Sequence, residues 1–181
     1  MSFFINIDSH IEKFFLAARS PCGLDFFSTV TWLGEWKLVI FLVILTPALF
    51  WLKNKKIYVL PFLITVAGAE ISGQIIKILF HRARPDGGLE AENTFSFPSG
   101  HALIVAAFYG FLIYYFWHNA KNKAQKYLCL SAGLALILLI GISRLYLGVH
   151  YFSDIIGGYL LGAIWLAIGI YIHQKSKTSG V

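Results

Sequence analysis

Three groups of polar residues carry the side-chain chemistry needed to bind and transfer a phosphoryl group. Arginine presents a planar fork that can bind two phosphate oxygens, lysine adds a point charge, and histidine can act as a nucleophile or a proton donor. In chain order the groups are Lys77 with Arg84-Pro85, then Pro98-Ser99-Gly100-His101, and then Ser143-Arg144 with His150 and Asp154. A single site that gathers these three groups would suit a phosphate ester.

The second group has the features of a helix start. Proline favours the first helical position, serine favours the N-cap, and an apolar run from Ala102 to Trp117 follows. A helix N-terminus leaves backbone N–H groups free, so Ser99 and Gly100 are candidates for phosphate binding, with His101 beside them as a proton donor. Pro-Ser-Gly alone is equally typical of an ordinary turn, and the other two groups favour the functional interpretation.

Within the third group, His150 and Asp154 are four residues apart at the predicted start of the last apolar segment. Residues at this spacing share a helix face, which lets the carboxylate contact one imidazole nitrogen. Such a contact fixes the tautomer and leaves the other nitrogen nucleophilic. His101, on another helix, is then free to protonate the leaving oxygen. The structural alternative is that Asp154 only caps its helix.

The composition indicates that membrane helices position these groups. Of the 181 residues, 57% are hydrophobic and only 13% are charged, which is not the composition of a soluble domain. The formal net charge of +6 would suggest nucleic acid in a soluble protein. Here the lysines cluster between apolar runs, which indicates membrane topology and predicts no nucleic-acid partner.

Five apolar segments are long enough to cross a ~30 Å hydrocarbon core as helices. They are residues 26–52, 57–80, 100–117, 127–147 and 151–172. Residues 2–19 alternate apolar and charged side chains at helical spacing, which is typical of an amphipathic helix on the membrane surface. The prediction is an all-α integral membrane bundle in one domain, residues 1–181. It has an interfacial segment 1–23, a transmembrane bundle 24–173 and a cytoplasmic tail 174–181.

The basic residues predict which membrane face carries the polar groups. Eight lysines follow the odd-numbered spans, and seven basic residues lie at the other face. Three of those seven, Lys77, Arg84 and Arg144, belong to the polar groups, which leaves eight against four. The positive-inside rule then predicts a multi-pass protein of the cell membrane with a cytoplasmic C-terminus and an extracytoplasmic site.

The remaining polar residues have simpler interpretations. Arg82 is interpreted as a side chain that snorkels to the interface. Glu70, seven residues before Lys77, is interpreted as a packing residue, with support of Lys77 as the functional alternative. Cys22 and Cys129 fall at opposite membrane faces, which predicts no disulfide, and no spacing of ligands indicates a metal site.

The three groups resemble, in residue identity, order and spacing, the three-part signature of the type 2 phosphatidic acid phosphatase family. This family is the membrane branch of a superfamily that includes vanadium haloperoxidases and bacterial acid phosphatases. The resemblance implies metal-independent, cofactor-free dephosphorylation of a lipid phosphate. It implies that His150 becomes phosphohistidine, that Asp154 orients it and that His101 is the general acid. The residues implied to hold the phosphate are Lys77, Arg84, Ser99, Gly100 and Arg144.

Several phosphorylated lipids fit these expectations. An extracytoplasmic site in a bacterial-type membrane favours undecaprenyl diphosphate, with phosphatidylglycerol phosphate, phosphatidic acid and lipid A phosphates as alternatives. A different class of protein, a non-enzymatic binder or transporter of anionic lipid, would need the cations but not His150, Asp154 and His101. The expected partners are therefore the lipid substrate and membrane lipids, and the sequence selects no oligomeric state.

Overall fold

The computed structural model describes residues 2–89 and 94–178, and across these residues it contains α-helices and short 3-10 turns but no strand. The predicted all-α class is therefore confirmed. The helices are α1 (Ser2–Ala17), α2 (Pro21–Thr31), α3 (Trp36–Leu52), α4 (Val59–Phe80), α5 (Gly100–Asn119), α6 (Lys123–Tyr146) and α7 (Phe152–Thr178).

Within residues 2–89 and 94–178, five segments are long and apolar enough to cross a membrane, as predicted. They are Pro21–Leu52, which joins α2 to α3, then Lys56–Phe80, Gly100–Asn119, Lys123–Tyr146 and Phe152–Thr178. Helix α1 is not among them and packs against α6 and α7 instead. Its apolar side chains Ile11 and Phe15 pack onto Leu145 and Ile155, while Phe14 on another face is 67% exposed.

The first span is not the continuous helix that was predicted. Helix α2 ends at Thr31, a 3-10 turn covers Trp32–Gly34, and Glu35 is extended before α3 begins. The bend lets the backbone of Gly34 approach the core, because a Cβ there would lie 3.0 Å from both His101 and Ile140. Pro21 occupies the first turn of α2 behind the N-cap Ser20.

Helix α5 forms the centre of the bundle and packs against α4, α6 and α7. Its side chains Val105, Phe108 and Phe111 are at most 1% exposed. Contact with α7 is at backbone level, since a Cβ at Gly162 would lie 2.6 Å from the Leu103 carbonyl oxygen. Small residues allow this close approach between membrane helices. The approach brings the N-terminal ends of α5 and α7 together, and these ends carry two of the three polar groups.

The order of the helices brings all three groups to one end of the bundle. Helix α4 ends and α5 begins at this end, and α6 ends and α7 begins there as well. The C-terminal end of α7 therefore lies at the opposite end, together with the lysines that follow α3 and α5.

Candidate active site

A cavity of about 780 Å³ opens between α3, α4 and α5 at the end where the polar groups meet. The predicted site residues in its wall are Lys77, Arg84, Gly100, His101 and His150. The other three, Ser99, Arg144 and Asp154, are at most 1% exposed and lie behind this wall. The structure thus separates residues that can touch a ligand from residues that support them.

His150 presents one ring nitrogen to a guanidinium and the other to a buried polar pair. Its Nε2 is 3.1 Å from Nη1 of Arg84, and its Nδ1 is 3.3 Å from the Ser96 hydroxyl and 3.5 Å from Oδ2 of Asp154. A guanidinium can only donate, so Nε2 is the acceptor and the proton of neutral His150 is on Nδ1. The lone pair on Nε2 is therefore at the cavity wall.

The pKa of His150, which lies in the turn between α6 and α7, is lowered to about 4. Burial is the main cause, and the nearby Arg84 and Arg144 lower the pKa further. The nearby Asp154 carboxylate, 3.5 Å from Nδ1, opposes this shift without reversing it. His150 is consequently neutral near pH 7, the form in which an imidazole is a nucleophile.

Asp154 is fully buried, with donors on both carboxylate oxygens. Oδ2 accepts hydrogen bonds from the Ser96 hydroxyl at 2.5 Å and from the Tyr151 backbone N–H at 2.8 Å. The predicted shared helix face is wrong, because α7 begins at Phe152, after His150. The two side chains meet because the turn that precedes α7 places the His150 ring next to the Asp154 carboxylate.

The three predicted phosphate-binding cations are held by the protein before any ligand arrives. Arg84 donates to the carbonyl oxygens of Thr94 and Val149 at 2.7 and 2.9 Å. Lys77 donates to the Phe95 carbonyl at 2.6 Å, and Arg144 donates to the Thr31 hydroxyl at 2.8 Å. Side chains oriented in this way lose little further freedom when they bind an anion.

The start of α5 forms as predicted, and Ser99 and Gly100 have different roles in it. The Ser99 hydroxyl caps the helix by accepting from the Ala102 N–H, and the Ser99 N–H donates to the Asp154 carbonyl oxygen. Gly100 is different, because a Cβ built there meets nothing within 4 Å. Gly100 therefore keeps its first-turn backbone open to the cavity, where an anion would be favoured by the helix terminus.

His101 also lies at the cavity, near a carboxylate that its sequence context did not predict. Its Nε2 is 3.8 Å from Oε2 of Glu35, the N-cap residue of α3. This nitrogen is buried and has no hydrogen-bond partner among the described residues. A ligand in the cavity can therefore complete its hydrogen bonding.

Arg82 does not snorkel, contrary to the sequence interpretation. It donates to Asp154 at 2.6 Å and to Asp8 of α1 at 2.7 Å. Asp8, which is 3% exposed, and Ser96 likewise had no assigned role. The only sequence signal for Arg82 and Ser96 is that each lies two residues before a motif position, Arg84 and Pro98.

Glu70 lines the cavity rather than packing inside the bundle. Its carboxylate accepts a 2.7 Å hydrogen bond from Gln74, one helical turn closer to Lys77. The apolar part of the wall that runs along the membrane spans comes from one stripe of α3 and one of α4. Its residues are Val39, Ile40, Val43, Ile44, Leu63, Val66 and Ala67. The cavity thus joins a cationic end to an apolar arm along the membrane spans.

Comparison with known proteins supports the resemblance stated above. The family model of the PAP2 superfamily matches residues 58–178. Phosphatidylglycerophosphatase B of Bacillus subtilis is 31% identical over 173 residues, which is 94% of this chain and 85% of that protein. An undecaprenyl-diphosphatase of Sulfolobus acidocaldarius is 33% identical over 112 residues, covering 60% of this chain and 50% of that one.

A solved structure is also similar over nearly the whole chain. The crystal structure of a transmembrane PAP2-type phosphatidylglycerolphosphate phosphatase from Bacillus subtilis superposes with a TM-score of 0.89 at 26% identity. The match covers 97% of this chain and 88% of that one. The similarity includes the N-terminal helices, which lie outside the family match.

Proposed function

The chain belongs to the PAP2 superfamily, and from this membership and the geometry of its cavity we propose that it is a membrane lipid phosphatase that works through a phosphohistidine. The observation that supports this most is the neutral His150, whose Nε2 lies at the cavity beside Arg84 and whose Nδ1 faces Ser96 and Asp154. A binder or transporter of anionic lipid would not need this arrangement.

In the first step, Nε2 of His150 attacks phosphorus and the bond from phosphorus to the lipid oxygen breaks. His101 gives its proton to that oxygen, so the leaving group departs as a neutral alcohol or a protonated phosphate. The imidazole becomes cationic, and the charge of Asp154 stabilises it through Nδ1–H. In the second step water attacks phosphorus, His101 takes back a proton, the phosphorus–nitrogen bond breaks and phosphate leaves.

Positive charge already in place stabilises the transferring group. Lys77, Arg84 and the open backbone at Gly100 line the cavity where the oxygens of a phosphoryl group would lie, and the buried Arg144 adds positive charge from behind this wall. Phosphoryl transfer depends mainly on such positioning and charge, because its transition state is loose. The apolar arm of the cavity accommodates the lipid chain.

For the substrate, we rank phosphatidylglycerol phosphate first, because the similarity to phosphatidylglycerophosphatase B spans nearly the whole chain. Undecaprenyl diphosphate, which the sequence favoured, is the second candidate, since the relative with that name is similar over 60% of the chain. The experiment is phosphate release by the purified protein in lipid nanodiscs. Phosphatidylglycerol phosphate, undecaprenyl diphosphate and phosphatidic acid are compared at equal mole fraction, with His150→Ala as the blank.

A kcat/KM at least tenfold higher for one lipid would identify the substrate. Phosphate release from none of the three, by protein that is folded and binds the lipids, would exclude the phosphatase and favour the binder. Trapping of a phosphoenzyme by alkaline quench tests the histidine step separately. Phosphate release without any phosphohistidine would contradict that step alone.

We also propose that the site faces away from the cytoplasm. Arg19 and Arg82 now have local roles, because Arg19 donates to the Tyr146 and Gly87 carbonyls and Arg82 to two carboxylates. Fewer basic residues at the face of the site therefore remain as topology signals, which increases the excess of lysines at the opposite face, where the C-terminal end of α7 lies. Single cysteines at Glu92, outside the described residues, and at Lys123 test the proposal in a background without Cys22 and Cys129. Labelling of the Glu92 position only from the cytoplasmic side would overturn it.

A further inference from the structure

A hydrogen-bonded network joins the N-terminal helix to the carboxylate behind His150. Arg82 donates from Nη1 to Asp154 Oδ1 at 2.6 Å and from Nη2 to Asp8 Oδ2 at 2.7 Å. The guanidinium also lies over the Tyr151 ring, 4.3 Å from its centroid. Arg82 thus bridges two carboxylates that are 3% or less exposed.

Asp8 is held from a second direction by the start of α7. Its Oδ1 accepts from the Ser153 backbone N–H at 2.9 Å, and its Oδ2 accepts from the Ser153 hydroxyl at 2.6 Å. The Ser153 hydroxyl in turn accepts from Nη1 of Arg82 at 2.6 Å. Helix α1 therefore caps α7 with a carboxylate, one residue before the buried Asp154.

These bonds decide how the Asp154 carboxylate is oriented. Its Oδ1 is held by Arg82, while its Oδ2 is held by Ser96 and Tyr151 and faces Nδ1 of His150. A carboxylate with donors on both oxygens cannot rotate without losing charge-assisted hydrogen bonds. Without Arg82, the group could turn away from His150 and a buried charge would lose its counter-ion.

Asp8 has a separate electrostatic effect. Arg82 alone would neutralise Asp154, leaving no net charge to stabilise the imidazolium that forms at His150. With Asp8 present, two carboxylates share one guanidinium, so the network keeps a net charge of about −1. That charge complements the positive charge that His150 gains when it takes the phosphoryl group.

We propose that Asp8 and Arg82 are positioning residues that orient and charge-balance Asp154 for His150, which makes helix α1 part of the catalytic machinery. This inference rests on the proposed function of His150 and Asp154. It concerns a residue of α1, which lies outside the PAP2 family match at residues 58–178.

The test compares Arg82→Gln, Arg82→Lys and Asp8→Asn with Arg19→Gln as a matched control. Arg19 also links the N-terminal region to the bundle, by bonds of 3.0 Å to the carbonyls of Tyr146 and Gly87, but it does not touch Asp154. We expect Arg82→Gln to lower kcat by about 10–100-fold and Asp8→Asn by about 5–20-fold, with KM changed less than about twofold. Arg82→Lys should recover part of the kcat. Arg19→Gln should keep the wild-type kcat, even if its thermal midpoint falls by as much as that of Arg82→Gln.

A double-mutant cycle separates positioning from general loss of structure. In an Asp154→Asn background, Arg82→Gln should cost less than about threefold more in kcat, because its effect passes through Asp154. A full additional loss in that background would overturn the inference. So would equal losses of kcat in Arg82→Gln and Arg19→Gln that track their stability.

Where Arg82→Gln does not fold, Asp8→Asn carries the same test. Wild-type kcat in folded Asp8→Asn would overturn the inference. Failure of the proposed function has a different signature. In that case the wild-type protein would release no phosphate, or His150→Ala and Asp154→Asn would themselves keep wild-type turnover.

Discussion

Replacing Ser96 by alanine tests how the nucleophile is supported. The Ser96 hydroxyl is fully buried and donates to Asp154 Oδ2 at 2.5 Å, while lying 3.3 Å from Nδ1 of His150. It can accept a hydrogen bond from Nδ1–H of His150 and donate one to Asp154, which connects the imidazole to the carboxylate. Alanine removes this connection and leaves the direct separation of 3.5 Å between His150 and Asp154, too long for a good hydrogen bond.

The size of the effect follows from the bonds lost. A hydrogen bond to a charged group contributes about 1.5–3 kcal/mol, and each ~1.4 kcal/mol corresponds to a factor of ten in rate. The Tyr151 N–H still holds the same oxygen, so the lower part of this range applies. We expect Ser96→Ala to reduce kcat by about 10–40-fold. KM should change little, because Ser96 is not in the cavity wall.

The assay measures kcat and KM with a soluble aryl phosphate and with the lipid substrate, together with the rate of phosphoenzyme formation after rapid mixing. Thr65→Val is the control, because it removes a buried hydroxyl that bonds only within α4, to the Pro61 carbonyl. Wild-type kcat in folded Ser96→Ala would refute the reasoning, since the His150 tautomer would then not depend on the hydroxyl. A change confined to KM would refute it as well.

Four further predictions follow from the site and its packing. His101→Ala should be partly rescued by an aryl phosphate, whose leaving group needs no proton, whereas His150→Ala should not; phosphoenzyme trapped on His101 would reverse the roles. The pKa of His150 is near 4 instead of 6.5, so nitrogen-15 NMR should show its imidazole in the neutral form from pH 7 to 5. On lowering the pH, the unfolded state takes up this proton before the folded state does, so the contribution of His150 to stability is complete above pH 6.5 and is lost as pH falls towards 4. Turnover should survive EDTA and be blocked by vanadate, because fixed cations stabilise the phosphoryl group; loss with EDTA and recovery with Mg²⁺ would contradict this. Gly162→Ala should destabilise by about 1–3 kcal/mol, because its Cβ would meet the Leu103 backbone oxygen at 2.6 Å. Gly110→Ala should cost less, because its Cβ would clash only with a terminal methyl group of Leu166, at 2.7 Å; thermal melts in detergent compare the two.

The sequence by itself determined the membrane fold and predicted which polar residues lie together at one end of it. Apolar length is a property of a continuous segment, so the spans could be counted without knowledge of their contacts. The three polar groups lie at the ends of consecutive spans, and helices that alternate in direction must bring such ends to one face. For that reason Lys77, Arg84, Gly100, His101 and His150 could be expected to meet, and the structure places them around one cavity.

Tertiary structure decided which residues support the site. Arg82 has the sequence features of an interfacial arginine, and its partners Asp154 and Asp8 are 72 and 74 residues away. Ser96 and Glu35 likewise gain their roles from His150, Asp154 and His101, on other parts of the chain. The break in the first span also depends on the core, where Gly34 must fit against α5 and α6. These features have no local pattern, because a hydrogen bond between distant residues depends on the packing of the helices that carry them.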